Sequence, residues 1–105
     1  MDIKHNFVRD DNDNPAGGES LATGVAISWQ NGPLRDADGN SVPRNGAFVD
    51  EVIQIAIDRL SFYQDSRFNC VYNADAIEYL DKALKRLNDR TADRVKRDVE
   101  GTHKE

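Results

Sequence analysis

Residues 48–87 read FVDEVIQIAIDRLSFYQDSRFNCVYNADAIEYLDKALKRL, and the spacing of apolar side chains in this run decides the fold. Phe48, Val52, Ile53, Ala56, Ile57, Leu60 and Tyr63 recur at three- and four-residue steps, the period of a helix that buries one face. Asn45 is the expected N-cap, and Asp50 and Glu51 put negative charge at the positive end of the helix dipole. This first helix should end near Gln64. A loop over Asp65 to Tyr72 turns the chain, and a second helix is expected from Asn73 with Ile77, Leu80, Leu84 and Leu87 as its stripe. Glu78 with Lys82 and Asp81 with Lys85 are i,i+4 ion pairs of favourable order, which marks the opposite face as solvated. With Gly101 as its stop, the second helix would approach ~25 residues, or close to ~40 Å at 1.5 Å per residue.

The N-terminal part follows a different period. Gly24 to Gln30 (GVAISWQ) alternates Val25, Ile27 and Trp29 with smaller or polar residues, the pattern of a strand with one buried face. Ile3 and Phe7 suggest a short edge strand before it, and Asp10 to Gly18 (DDNDNPAGG) reads as a polar surface loop. That loop resembles a calcium loop only superficially, because Pro15 stands where the turn glycine belongs and the bidentate glutamate is missing. Asn31-Gly32-Pro33 and Asp38-Gly39 are further turn signals. The fold class expected is therefore α+β in a single domain of residues 1–105. Residues 1–44 form a small antiparallel sheet with loops, and residues 45–103 form an antiparallel two-helix hairpin.

Apolar residues make up 38 % of the chain, a thin supply for the long stripes of such a hairpin, so homo-oligomerisation is expected. Fourteen Lys+Arg against nineteen Asp+Glu give a net charge of −5, which excludes the broad basic field of a nucleic-acid polymer or anionic-membrane binder. An anionic ligand must then be caught locally. The single Cys70 cannot form an internal disulfide and reads as a small buried hydrophobe in a cytosolic protein.

Catalysis needs a base, nucleophile or metal site in mutual reach, and His5, Cys70 and His103 are scattered along the chain. No enzyme activity, cofactor or metal is expected. The informative residues stand at the two ends of the second helix. Arg90 and Arg94 continue the Leu80, Leu84, Leu87 stripe, putting two guanidinium forks where the period calls for apolar residues. Either they bind an anion, or they are a solvated helix end paired with Asp89 and Asp93. Tyr63 flanks the hairpin loop with Phe62 and Phe68, and Asn73 opens the second helix. These are either core plugs and an N-cap, or a stacking ring with an amide that reads a base or ribose. Residue chemistry alone leaves both pairs open.

The chain resembles the Thoeris anti-defense 1 family of phage sponge proteins. The resemblance runs from Trp29 to His103 through Trp29-Gln30-Asn31-Gly32-Pro33-Leu34, Asn45-Gly46-Ala47-Phe48-Val49, Arg59-Leu60, Tyr63-Gln64, Phe68, Cys70, Asn73-Ala74, Ala76-Ile77, Leu80, Ala83-Leu84, Leu87, Arg90-Thr91, Arg94 and Val99-Glu100-Gly101-Thr102-His103. It implies a sheet plus helical hairpin, a hairpin shared with anti-CBASS sponges of cyclic oligonucleotides. It also implies homodimers that assemble to hexamers and sequester glycocyclic ADP-ribose, the signal of TIR-domain enzymes, uncleaved in the cytoplasm of the bacterial host. The ligand-binding positions so implied are Tyr63 for stacking, Asn73 for a polar contact, and Arg90 and Arg94 for phosphate. Tyr63 replaces a phenylalanine-like position, and Asp98 stands where the family pattern calls for glycine. Two rival functions are hydrolysis of the signal and a structural or protein-binding hairpin with no small-molecule ligand.

Overall fold

A computed structural model describes residues 1–104, which form two compact units. One comprises residues 1–48 together with the segment from Asp98, and the other is the helical unit Val49–Arg97.

In the first unit, β1 (Lys4–Arg9), β2 (Pro15–Ala22) and β3 (Val25–Ser28) form an antiparallel sheet in the order β1-β2-β3. The loop expected over Asp10 to Gly18 is shorter than its composition suggests, since β2 already begins at Pro15. A tight turn does the work. Asp10 Oδ1 accepts the backbone N–H groups of Asn12 and Asn14, each at 2.9 Å, so one carboxylate satisfies the turn. Gly17 and Gly18 then lie inside the strand because its neighbours come close. A Cβ on Gly18 would fall 1.9 Å from the Asn6 carbonyl oxygen across the β1 pairing.

The centre of this unit is polar. Ser20, 5 % exposed, accepts from Trp29 Nε1 at 2.8 Å and shares a 2.8 Å hydrogen bond with His5 Nδ1. Asn45 is not a helix cap. Its carboxamide accepts from the Asn31 N–H and donates to the Asn31 carbonyl, both at 2.8 Å, while Gln30 Oε1 accepts from the N–H groups of Asn45 and Gly46. This double clasp commits Asn45 to the loop and delays the first helix to Val49. The segment after Asp98 returns to the same unit, where the Gly101 carbonyl accepts from the backbone of Leu34 (2.7 Å) and Arg35 (2.9 Å).

The helical unit is α1 (Val49–Gln64) packed on α2 (Val71–Lys96) through a six-residue connection. The expected stripes are the ones turned inward: Ile57 is buried, and Val52, Ile53, Leu60, Ile77, Leu80, Leu84 and Leu87 are half-buried. The start of α2 differs from expectation. Cys70 is exposed and is itself the N-cap, its sulfur accepting from the Asn73 N–H at 3.5 Å. Gln64 fixes it there, accepting from the Cys70 N–H and donating to its carbonyl, each at 3.0 Å. Asn73 thus sits one turn inside. α2 also ends at Lys96 rather than near Gly101, and Asp98 just beyond it takes the left-handed φ of 57° that usually calls for glycine. No helix of the described residues is long and apolar enough to cross a membrane.

Candidate functional site

The helical hairpin carries all four expected site residues and groups them as two pairs. Tyr63, in the last turn of α1, and Asn73, in the first turn of α2, are brought to the loop end of the hairpin. Tyr63 keeps 38 % of its surface exposed. Asn73 is half-buried and donates through Nδ2 to the Phe68 carbonyl only at a long 3.5 Å, which leaves its Oδ1 available as an acceptor.

Arg90 and Arg94 share a face near the other end of α2, one turn apart. The solvated-end alternative fits them unequally. Arg90 is exposed, whereas Arg94 is 7 % exposed and so is no frayed surface residue. The carboxylate expected beside Arg90 is engaged elsewhere, since Asp89 pairs with Lys85 (3.3 Å) and Arg86 (3.1 Å), and Asp93 pairs with Arg97 (3.0 Å). Arg90 makes no ion pair among the described residues. An exposed guanidinium without a carboxylate partner, as at Arg90, keeps its donors open to an anion.

The two pairs are not brought together within one chain. Asn73 and Arg94 lie on one unbroken helix, and 21 positions at 1.5 Å each separate them by roughly 30 Å. A compact ligand that met both would need a second chain running the opposite way.

Arg59, which the sequence offers only as part of the family resemblance and with no site role, stands beside the aromatics of the loop end. Its guanidinium carbon lies 4.8 Å from the Phe62 ring centroid and 4.9 Å from that of Tyr63, and its Nε donates to the Tyr63 hydroxyl at 3.2 Å. The signal was present as an arginine three and four residues before two aromatics, a spacing that stacks side chains on one helix face.

The sheet unit has an open cleft of about 570 Å³, lined in part by Pro33, Arg35, Asp36, Asp98 and His103. Its one arginine is already consumed: Arg35 Nε donates to the Glu100 carbonyl at 2.8 Å, and its Nη groups reach the Asp98 carbonyl and carboxylate. The Arg35–Asp98 ion pair lies in its wall, and the cleft contains none of the four expected residues.

Residues 22–92 match the model of the Acb2/Tad1 hairpin domain, a span that includes Tyr63, Asn73 and Arg90 and stops short of Arg94. Thoeris anti-defense 1 of Bacillus phage SBSphiJ7 is 42 % identical over 79 residues, which are 75 % of this chain and 52 % of the relative. The chain thus spans about half the length of that curated relative. The match takes in all of α1 and all but the last turn of α2 and covers well over half the residues, and the chain belongs to the Acb2/Tad1 hairpin-domain family.

Proposed function

We propose that this protein is a phage anti-defence sponge that binds a cyclic nucleotide second messenger, glycocyclic ADP-ribose made by TIR-domain enzymes, and withholds it uncleaved in the host cytoplasm. The observation that carries this reading is the 42 % identity to a protein named Thoeris anti-defense 1. The hairpin chemistry supports it. A compact dianion with a base and riboses calls for a stacking ring, an amide and guanidinium forks, and Tyr63, Asn73, Arg90 and Arg94 supply those groups.

The site is completed by two chains. In an antiparallel two-fold dimer, Arg90 and Arg94 of one protomer lie beside Tyr63 and Asn73 of its partner. Exposed apolar pairs at heptad spacing support association between hairpins, and the hexamer is part of the proposal. Ile55 (67 %) and Phe62 (60 %) line a second face of α1, and Tyr72 (82 %) and Tyr79 (65 %) a second face of α2.

The test is to incubate pure protein with lysate from cells in which a TIR-type defence has been triggered, then release the bound small molecule by heat and identify it. Intact glycocyclic ADP-ribose supports the sponge. A linear product would make the protein a hydrolase, a cyclic oligonucleotide alone would replace the signal class, and no bound nucleotide would leave a structural hairpin.

A further inference from the structure

The loop end of the hairpin holds a cation as well as a ring. Arg86 and Arg97 of the same unit are tied to Asp89 and Asp93, but Arg59 pairs with no carboxylate among the described residues. Its contacts are aromatic: two ring faces below 5 Å from the guanidinium carbon and one phenol oxygen, which takes the Nε hydrogen. That arrangement spends Nε on orientation and leaves the four N–H bonds of Nη1 and Nη2 without a protein acceptor among the described residues. The guanidinium plane is also held against Tyr63 before any ligand arrives, so little side-chain freedom remains to be lost on binding.

We propose that Arg59 is a ligand-binding residue, donating from Nη1 and Nη2 to phosphate oxygens of a ligand whose base lies in the Tyr63 column. The inference rests on the sequestration reading and adds to it a phosphate contact at the aromatic end of the site. A diphosphate-bridged ligand has two phosphates to satisfy. Arg90 and Arg94 of one protomer hold one side of the bridge and Arg59 of the other protomer holds the second, so the ligand is gripped by cations from both chains. Free nucleosides, which offer the base without the phosphate, would gain only the stacking.

The test compares wild type with Arg59→Gln and Arg59→Lys, using glycocyclic ADP-ribose as the probe in calorimetry at two salt concentrations. Loss of a charge-assisted contact should weaken binding about ten- to a hundredfold in Arg59→Gln. Arg59→Lys, which keeps the charge without the fork, should fall between. The affinity of Arg59→Gln should also depend less on salt, because one screened charge interaction has been removed. Undiminished affinity in Arg59→Gln overturns the proposal. A loss with unchanged salt dependence also overturns it, leaving Arg59 as a support for the Tyr63 ring only. Wild type that does not bind the probe would overturn the sponge reading itself. Arg59 is exposed, so melting temperature should stay within about 2 °C of wild type and serves as the folding control.

Discussion

Asn73 and Arg94 stand near opposite ends of a single unbroken helix, Val71–Lys96. Because roughly 30 Å separates them, Tyr63→Ala and Arg94→Ala should complement one another. Each is expected to be non-binding alone. When the two are unfolded, mixed and refolded together, a mixed dimer carries both lesions in one site and neither in the other, so about a quarter of the sites should recover. A mixture as inactive as its parents, with mixed dimers shown to form, would rule out the shared site.

The Tyr63 hydroxyl accepts from Arg59, and in the proposed site its π face is left for stacking. Tyr63→Phe keeps the ring and the cation above it, and loses one exposed hydrogen bond worth on the order of 0.5–1 kcal/mol. Binding should therefore fall only a few-fold, whereas Tyr63→Ala should abolish it. Equal damage in the two variants, measured by titration calorimetry, would transfer the role from the ring to the hydroxyl.

Burial separates the two arginines of α2. Arg90→Ala removes an exposed side chain and should change unfolding free energy by less than about 0.5 kcal/mol. Arg94→Ala removes a side chain that is 7 % exposed, along with the packing of its methylene stem, and should cost on the order of 1–3 kcal/mol. Urea denaturation of both variants checks this, and indistinguishable midpoints would contradict the burial of Arg94.

Gly46 lies so near the Trp29 backbone that an added Cβ would fall 2.4 Å from its carbonyl carbon and 2.6 Å from the Gln30 nitrogen. Both neighbours are main chain and cannot swing aside. Gly46→Ala should cost about 3 kcal/mol and disrupt the clasp of Asn31 and Asn45. Gly32→Ala is the contrast: nothing lies within 4 Å, and only its left-handed φ of 87° is strained, so about 1–2 kcal/mol is expected. If Gly32→Ala proves the more damaging in thermal melts, the close approach at Gly46 is not a limiting feature of the fold.

Asp10 gives the turn between β1 and β2 a pH dependence. The Asn14 N–H bound to its carboxylate, with the Asn12 N–H adding to the effect, lowers its pKa below the ordinary 3.8. The folded protein then holds this proton less readily than the unfolded chain. Its stabilisation is complete above the unfolded pKa and is lost as pH falls through the lower folded value. Asp10→Asn keeps an acceptor oxygen but cannot titrate. Wild type should therefore lose stability relative to Asp10→Asn as pH drops below about 4, with the difference constant above about pH 5. A difference that stays flat from neutral to acid pH would remove Asp10 from the account.

The amino-acid sequence by itself determined the two helices, their inward stripes and the best strand. Each of those is a local period, and the burial of Ile57, Leu80 and Leu84 follows from spacing alone. It also carried the family resemblance through strings such as Gln30-Asn31 and Asn45-Gly46, whose work in the structure is to clasp a loop. Tertiary structure decided what depends on partners distant in the chain. Asn45 lost its cap role because Asn31 claims its amide, and Cys70 became the cap because Gln64 holds it in place. Gly17 and Gly18 went into a strand, against their composition; β1 needs the space of the missing Cβ at Gly18, and the Asn31 side chain crowds the one at Gly17. Asp89 paired with Arg86 rather than with Arg90, and Asp93 with Arg97, a choice among rotamers that no spacing rule makes. Arg94 is buried and Arg90 is not, although both obey the same period, because a helical stripe says which residues share a face and not how far along that face cover extends.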